Sequence, residues 1–571
     1  MPASEGDEIQ GSLSLLDLDA KSHPQYDCVS YVWGNSECTE LALINKKHIP
    51  IKRNLHDCLR HIRSKTNMMT IWADALCINQ MDMDEKSRQV ARMVQVYRQC
   101  SKVYIWLGLP DVDNLTGNPF ELLNFFVSGK HWYELPGFER DKSSGLWIWK
   151  ENKACDQLLN NFLQVVKSPW WTRAWTVQEC LLPKNSLIML GTWSVTWDHM
   201  SKAENLKNSH GDGPAQCCKE AINAFNPHQR VLIEEWMWHP GRGRRFMSVI
   251  RGKSPPPCFH QAIMAFTSRT CTDPRDKIYS MLALATHPIY RDFTVNYQED
   301  VSAVYTDIFT RMVREANDDF TCFIGGGFGS SMEGLPSWVQ DFSQTRPLNV
   351  VAIEERRVGY RALYRASLML PIEPLWNEKK EFHYRGTYTD TVRAVGHPPY
   401  LTDAPLRDTF SQWLKLCKEV VGPCEPQVLR STFSRIICGD VCKTRDGGAE
   451  FRRAKEADFP KKDIWDRLME GDVYATDQRG FGWGLNFGFT GRCFFTTKSG
   501  KMGLCHPNTR LGDEVWVLRG IKVPFVLHPT EHAEEGCANR YSFLGDCFLQ
   551  GIMDGELGEK EKSMERPVVF I

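Results

Sequence analysis

Hydrophobic and polar positions change period several times along the first two hundred residues. Tyr26 to Gly34 (YDCVSYVWG) is rich in β-forming residues and ends on Gly, and Leu41 to Ile51 (LALINKKHIPI) predicts a second extended segment closed by Pro50. From Asn54 the period lengthens. Leu55, Cys58, Leu59 and Ile62 fall at i, i+3, i+4 and i+7 behind an Asn suited to cap a helix. Met69 to Asp74 (MTIWAD) returns to the extended pattern. Asp82 and Glu85 then stand at capping-box spacing before the stripe Val90, Met93, Val94, Tyr97 and Cys100. Val103 to Leu107 (VYIWL) completes the run as an apolar strand ahead of Gly108.

Strands alternating with helices predict a parallel α/β sheet, whose ligands bind beyond the carboxyl ends of the strands. Trp33 and Gly34, Asp74 with the following ALCINQ, and Gly108 all fall at or just past such ends. A polar and aromatic insertion runs from about Asp111 to Lys167. Ser168 to Cys180 (SPWWTRAWTVQEC) then predicts a helix with Thr172 near its start and with Trp175 and Glu179 on one face, and Ser186 to Leu190 a further strand. If that helix joins neighbouring strands, Glu179 approaches the edge that holds Asp74. An α/β domain is therefore expected over residues 1–200.

Glu204 to Gly213 has the composition of a linker, and a mainly helical middle region is expected over 201–385. Within it Arg275, Asp276 and Lys277 follow Asp273-Pro274, the pattern of a capped helix start with a buried ion pair. An α+β region over 386–571 turns β-rich from about residue 472, with short strands at Phe494–Thr497, Glu514–Leu518, Val523–Leu527 and Tyr541–Gln550.

Composition narrows the function classes. The chain of 571 residues carries 69 Lys+Arg against 70 Asp+Glu, a formal net charge of -1, which argues against a dedicated nucleic-acid binder. Arg242, Arg244 and Arg245 form the one local basic loop, read as a solvated segment. The acidic start MPASEGDEIQ lacks the features of a signal peptide, and no apolar run reaches the length of a membrane span, so a cytoplasmic protein is expected. Its 20 Cys are then reduced thiols. The closest pairs, Cys217-Cys218 and Cys438/Cys442, lack partner pairs at zinc spacing, so no metal site is expected and most Cys serve as small core residues. No G-x-G-x-x-G follows an early strand, Gly325 to Gly329 (GGGFG) lacks the final spacing, and no cofactor is expected.

Four ordered blocks carry a resemblance. Tyr26 to Gly34, Ile71 to Gln80 (IWADALCINQ), Lys102 to Gly108 and Pro169 to Glu179 (PWWTRAWTVQE) resemble the motifs of the fungal heterokaryon incompatibility (HET) domain family. Asp273 to Leu284 (DPRDKIYSMLAL), Leu335 to Asp341 (LPSWVQD) and Gly512 to Gly555 resemble the long C-terminal region of HET-only proteins. The resemblance implies a protein of non-self recognition whose N-terminal domain triggers regulated cell death. Its implied partners are the product of an incompatible allele or locus, or an NLR-like sensor, together with self-association through the N-terminal domain.

The HET domain is distantly similar to TIR domains, many of which hydrolyse NAD, so a TIR-like parallel sheet is the implied fold. In plant TIR domains the catalytic glutamate lies in a Trp-Cys-x-x-Glu stretch. Trp175 to Glu179 (WTVQE) has the same spacing with Thr176 in place of the Cys, which carries the catalytic role to Glu179. Cleavage of the nicotinamide–ribose bond builds oxocarbenium character that a carboxylate can stabilise. Trp33 or Trp175 would stack on a ring, and Asp74 and Asn79, with Gly34 beside them, would bind hydroxyl or amide groups. The alternatives are a packed helix face for Trp175 and Glu179, a core position for Trp33, Asx turns for Asp74 and Asn79, and a non-enzymatic scaffold that signals by oligomerising.

Overall fold

The computed structural model describes residues 8–34, 39–211, 218–226, 229, 258–266, 268–316, 321–325, 332–344, 350–372, 374–376, 381–399, 406–444, 451–476, 480–531 and 539–571. Arg242, Arg244, Arg245, Cys217 and Gly326 to Gly329 lie outside these residues. The chain is mixed in helix and strand and divides into two compact units, Met1–Glu299 and Asp300–Ile571. No helix among the described residues is long and apolar enough to cross a membrane.

The first unit is built on a five-stranded sheet. β1 (Asp27–Ser30) takes the first extended segment. The second one splits into a hairpin, β2 (Thr39–Ile44) and β3 (Lys47–Lys52), because Asn45 and Lys46 both take positive φ, 49° and 64°. Two consecutive left-handed residues make a hairpin turn whose twist suits the strands. No Gly marks this turn, so its signal is weak in the sequence. The hairpin pairs with Gln10–Gly11 in a separate three-stranded sheet, and Ala42, Ile44 and Ile51 pack with Val29, Tyr31 and Trp106 in one core cluster.

α1 (Arg53–Ile62) buries Leu55, Cys58 and Ile62 as its periodicity requires. Asn54 is not its cap. The helix starts one residue earlier, and the Asn54 amide instead donates to Val32 O (2.7 Å) and accepts from Trp106 Nε1 (2.9 Å). β4 is only Ile71–Trp72, because Asp74 already opens a helical turn, Asp74–Cys77. α2 (Met83–Gln99) is capped by Asp82, which accepts from the amides of Asp84 and Glu85, while Glu85 reaches past the cap to the Asn79 amide at 3.0 Å.

β5 (Val103–Trp106) is wholly buried, as a continuous apolar run between two covered faces should be. Between β5 and the next strand of the sheet, the 111–167 insertion contributes helices Glu121–Val127 and Lys153–Val166 and a hairpin, Phe138–Arg140 with Trp147–Trp149. α3 (Thr176–Leu181) leads into β6 (Ser186–Leu190) and β7 (Trp193–Thr196). The order is β7-β6-β5-β1-β4, with β6, β5, β1 and β4 parallel and β7 antiparallel on the edge. The carboxyl ends of four strands therefore share one edge. The segment read as a linker from Glu204 is largely helix: Trp197–Gly211 is one helix, held by buried Met200 and Ala203 on its first turns, and its polar remainder continues the same hydrogen-bonded run.

The second unit contains α4 (Val350–Leu363), β8 (Phe382–Val395), α5 (Phe481–Phe489), β9 (Cys493–Thr497), β10 (Met502–Cys505), β11 (Glu514–Leu518), β12 (Phe525–Glu531), β13 (Asn539–Asp546) and β14 (Arg566–Phe570). β8 closes a ring. It pairs with β14 over Phe382–Gly386 and with β11 over Gly386–Thr391, and β11, β12, β13 and β14 are successively paired. A closed ring removes exposed strand edges. Described cysteines are all free thiols, and those of this unit are buried except Cys424.

Three arginines organise the polar interior here. Arg492 and Asp546 form an ion pair whose side chains are each 3% exposed. Burial alone would push Asp546 up, but Arg492, the Gly325 amide and Arg356 outweigh it and hold the carboxyl below its usual range. Arg356 caps the end of α5, donating to Phe487 O (2.9 Å), Gly488 O (3.4 Å) and Thr490 O (2.6 Å), and Arg357 donates to Ile324 O. α5 itself lies against backbone: a Cβ on Gly484 would run into Val441 O and one on Gly488 into Ile437 O. The two glycines, four apart, make the flat face that permits this approach.

Two outcomes follow for denaturant unfolding of the second unit's core. Asp546→Ala strands a buried guanidinium and is expected to cost about 3–5 kcal/mol, whereas a loss under about 1 kcal/mol would mean that Arg492 finds another anion or water. Gly488→Ala is expected to cost at least about 2 kcal/mol through backbone overlap, and an unchanged midpoint would show that α5 can step away from Ile437.

Candidate functional site

The block that precedes Glu179 folds differently from the single helix expected. Ser168 donates to Leu107 O at 2.9 Å, anchoring the chain beside the end of β5, and Pro169–Thr172 forms one 3-10 turn. Arg173 is then extended, with ψ 139°, and α3 starts at Thr176. The break has a physical cause. Arg173 is drawn out of the helix by donating to Tyr31 O and by pairing as a β-bridge with Thr270, where Ala174 N donates to Thr270 O at 2.9 Å. Its own carbonyl accepts from Thr176 Oγ1 (2.8 Å) and Arg269 Nη1 (3.1 Å).

α3 is buried on all sides, so Glu179 is only 4% exposed. Its Oε2 accepts from Ser30 Oγ at 2.5 Å, and Ser30 Oγ in turn accepts from Trp170 Nε1 at 2.7 Å. Ser30 is the last residue of β1, so the chain Trp170–Ser30–Glu179 sits at the carboxyl edge of the sheet. Burial pushes the Glu179 carboxyl up to about 7; Arg173 opposes this, Asp74 adds to it, and Ser30 and Arg269 oppose it further.

Asp74 stands at the end of β4. It accepts from Trp33 Nε1 (2.8 Å), Tyr31 OH (3.0 Å) and the Ala75 amide (2.8 Å). Burial and the Asp74 carboxylate hold the Tyr31 hydroxyl well above its usual value. Gly34 follows in the left-handed region at φ 73° and is exposed. The edge thus joins Trp33, Asp74 and Glu179, and it adds Ser30, Tyr31, Trp170 and Arg173, which the sequence reading did not single out.

Two of the expected residues face other partners. Asn79 is exposed and its Oδ1 accepts from the Met81 amide at 3.2 Å, turning the chain toward α2. Trp175 is half-buried and hydrogen-bonds Asp276, which also accepts from Tyr297 OH at 2.5 Å. Burial pushes Asp276 up to about 6, with Tyr297 and Trp175 opposing. Beside it the Asp273–Arg275 pair (2.8 Å) holds the helix start Asp276–Tyr279. Arg173 had a readable signal inside the WWTRAW block, whereas Ser30 becomes the end of a strand only because β1 stops four residues short of the expected Gly34. Arg269 had none, being about ninety residues away in the chain.

Residues 26–179 match the family model described as Heterokaryon incompatibility protein (HET), and residues 450–569 match that of the Het-6 beta-barrel domain. The chain is also similar to "Heterokaryon incompatibility protein 6, OR allele" of Neurospora crassa, at 22% identity over 629 aligned positions that take in 94% of this chain and 90% of that protein. No solved structure matches. The matched first segment begins at Tyr26, just before β1, and ends at Glu179 itself. Two matched segments and a relative aligned over nearly all of the chain together support a heterokaryon incompatibility protein.

Proposed function

We propose that this protein is a cytoplasmic effector of incompatibility, killing the cell in which it meets the product of an incompatible allele or locus or an NLR-like sensor, and that its first unit acts by TIR-like hydrolysis of NAD. The observation that carries this reading is the convergence of Glu179, Asp74, Trp33 and Arg173 at the carboxyl ends of parallel strands, where ligands of such sheets bind. A carboxyl with a midpoint near neutrality is matched to acid–base work at cellular pH.

In the reaction, the bond between ribose C1′ and the nicotinamide nitrogen breaks, and its electron pair leaves with nicotinamide. Water adds to C1′, and its proton passes to Glu179 and on to solvent, leaving ADP-ribose. The ionised carboxylate stabilises the positive charge that develops on the ribose. Trp33 offers the ring face for stacking, and Asp74 an acceptor for hydroxyls. Association of first units would assemble the competent site and uncover Glu179.

A second reading has its own observation. Glu179 is nearly inaccessible and satisfies Ser30, which itself holds Trp170. A carboxyl so placed also serves as a structural pin in a scaffold that signals by oligomerising.

The two readings separate on nicotinamide release by the purified full-length chain at high concentration. An NAD hydrolase loses at least about 100-fold in kcat with Glu179→Ala. If the concentrated wild type consumes no NAD while its expression still kills cells, the enzymatic reading fails and the scaffold stands.

The same group sets a pH dependence of stability. Its folded midpoint, about 7, lies above the ordinary 4.5, so its contribution is fully present below about 4.5 and is lost as pH rises through about 7. Glu179→Gln is expected to match wild type in thermal stability at pH 4.5. At pH 8 it should exceed wild type by up to about 3 kcal/mol, and a difference independent of pH would mean that the carboxyl stays ionised throughout.

A further inference from the structure

We infer that Arg269 is a positioning residue for Glu179, reaching it from a strap, Ser268–Lys277, that lies outside the segment matched by the HET family model and clamps the turn on which the helix of Glu179 begins. What the carboxylate does there rests on the function proposed above; the placement of Arg269 does not. The strap enters as a β-bridge: Thr270 N donates to Thr172 O at 2.5 Å, and Ala174 N donates back to Thr270 O at 2.9 Å. The Arg269 guanidinium then crosses the break in the block, donating to Arg173 O at 3.1 Å and to Thr176 Oγ1 at 2.7 Å. Thr176 is the first residue of α3, so this contact fixes where the helix starts and hence how deep Glu179, one turn on, is set.

The strap is itself secured at its far end. Lys277 Nζ donates to Arg269 O, and Arg275 pairs with Asp273 while donating to Tyr297 O (2.6 Å) and Glu299 O (2.7 Å). The groups that face Glu179 are Arg173 and Ser30, Asp74, the Tyr97 hydroxyl from α2, the Cys180 thiol and Arg269. Two cations thus answer two carboxylates, and one cation comes from the strap. Burial pushes Arg269 down to about 10, with Cys180 and Glu179 opposing, which is the mutual signature of a cation held near a buried acid. A chain ending near residue 200 would keep Glu179 and Asp74 and lose half of their positive surroundings.

The test uses the full chain and follows the infrared carbonyl band of the protonated Glu179 carboxyl, assigned by its disappearance in Glu179→Gln. Arg269→Met is expected to raise the pH midpoint of that band by at least about one unit, and Arg269→Lys, which keeps the charge, by less. At neutral pH Arg269→Met is expected to lower kcat for NAD at least about 5-fold with KM unchanged, and raising the pH should restore it. A midpoint that stays within about 0.3 unit of wild type overturns the inference, since nearby opposite charges shift a carboxyl by more. Should Arg269→Met not fold, Thr176→Val removes one acceptor of the guanidinium and keeps its charge; an upward midpoint shift supports the inference and an unmoved one overturns it. A wild type without NAD turnover removes the proposed reaction but leaves the infrared midpoint to decide the role of Arg269.

Discussion

A carboxyl group shut away from water at Glu179 is the constraint around which the first unit is arranged. Burying an ionisable group costs several kcal/mol unless hydrogen bonds and countercharges replace its hydration. The replacements come from three separate stretches of chain: Ser30 at the end of β1, Arg173 in the break before α3, and Arg269 on the strap. None of these is close to Glu179 in sequence except Arg173. Satisfying one side chain therefore ties the sheet, the break before α3 and the strap together within the unit that runs to Glu299. The same demand accords with the 168–180 block not being one helix, since a continuous helix would keep the Arg173 carbonyl for itself, and that carbonyl instead accepts from Arg269.

Much of the sheet was legible in the sequence because its strands are short apolar runs and its helices have strong periodicity. β5 and β6 fall within a residue of the expected runs, and α1 and α2 bury most of the expected stripes, with Leu59 and Val94 only half-buried and Val96 joining the buried face of α2. What the chain hides is governed by contacts distant in sequence. Asn54 has the residue type of a cap but is claimed by Trp106 and Val32. The 45–46 turn needs two residues at positive φ and uses Asn and Lys rather than Gly. Periodicity stops being informative where Trp197–Gly211 turns polar, yet the helix persists because its first turns are anchored.

The candidate site was legible as an edge and not as a constellation. The end-of-strand rule brought Trp33 and Asp74 together, because position along a parallel strand is visible in one dimension, and Glu179 joined them by way of the helix expected between neighbouring strands. The rule also took in Asn79, and the TIR resemblance took in Trp175, whose side chains the structure gives to Met81 and Asp276. Helical spacing placed Trp175 on the face of Glu179, but Trp175 precedes the first turn of α3, where the four-residue rule no longer fixes direction.

The first unit buries Glu179 and the second Asp546, and the two carboxyls are held in opposite ways. In the second, Asp546 is paired directly with Arg492, supported by Arg356 and the Gly325 amide, and held below the usual carboxylate range. Its charge is fixed at every pH the cell meets, which suits a structural pin inside a closed ring of strands. Glu179 has two arginines in its neighbourhood, yet its hydrogen bond goes to a neutral hydroxyl, and burial lifts it to about 7. Asp276, buried in the same unit and lifted to about 6 beside Tyr297 and Trp175, shows that burial by itself brings a carboxyl toward neutrality; what sets Glu179 apart is its place at the carboxyl edge of the parallel sheet, with Asp74 and two arginines around it.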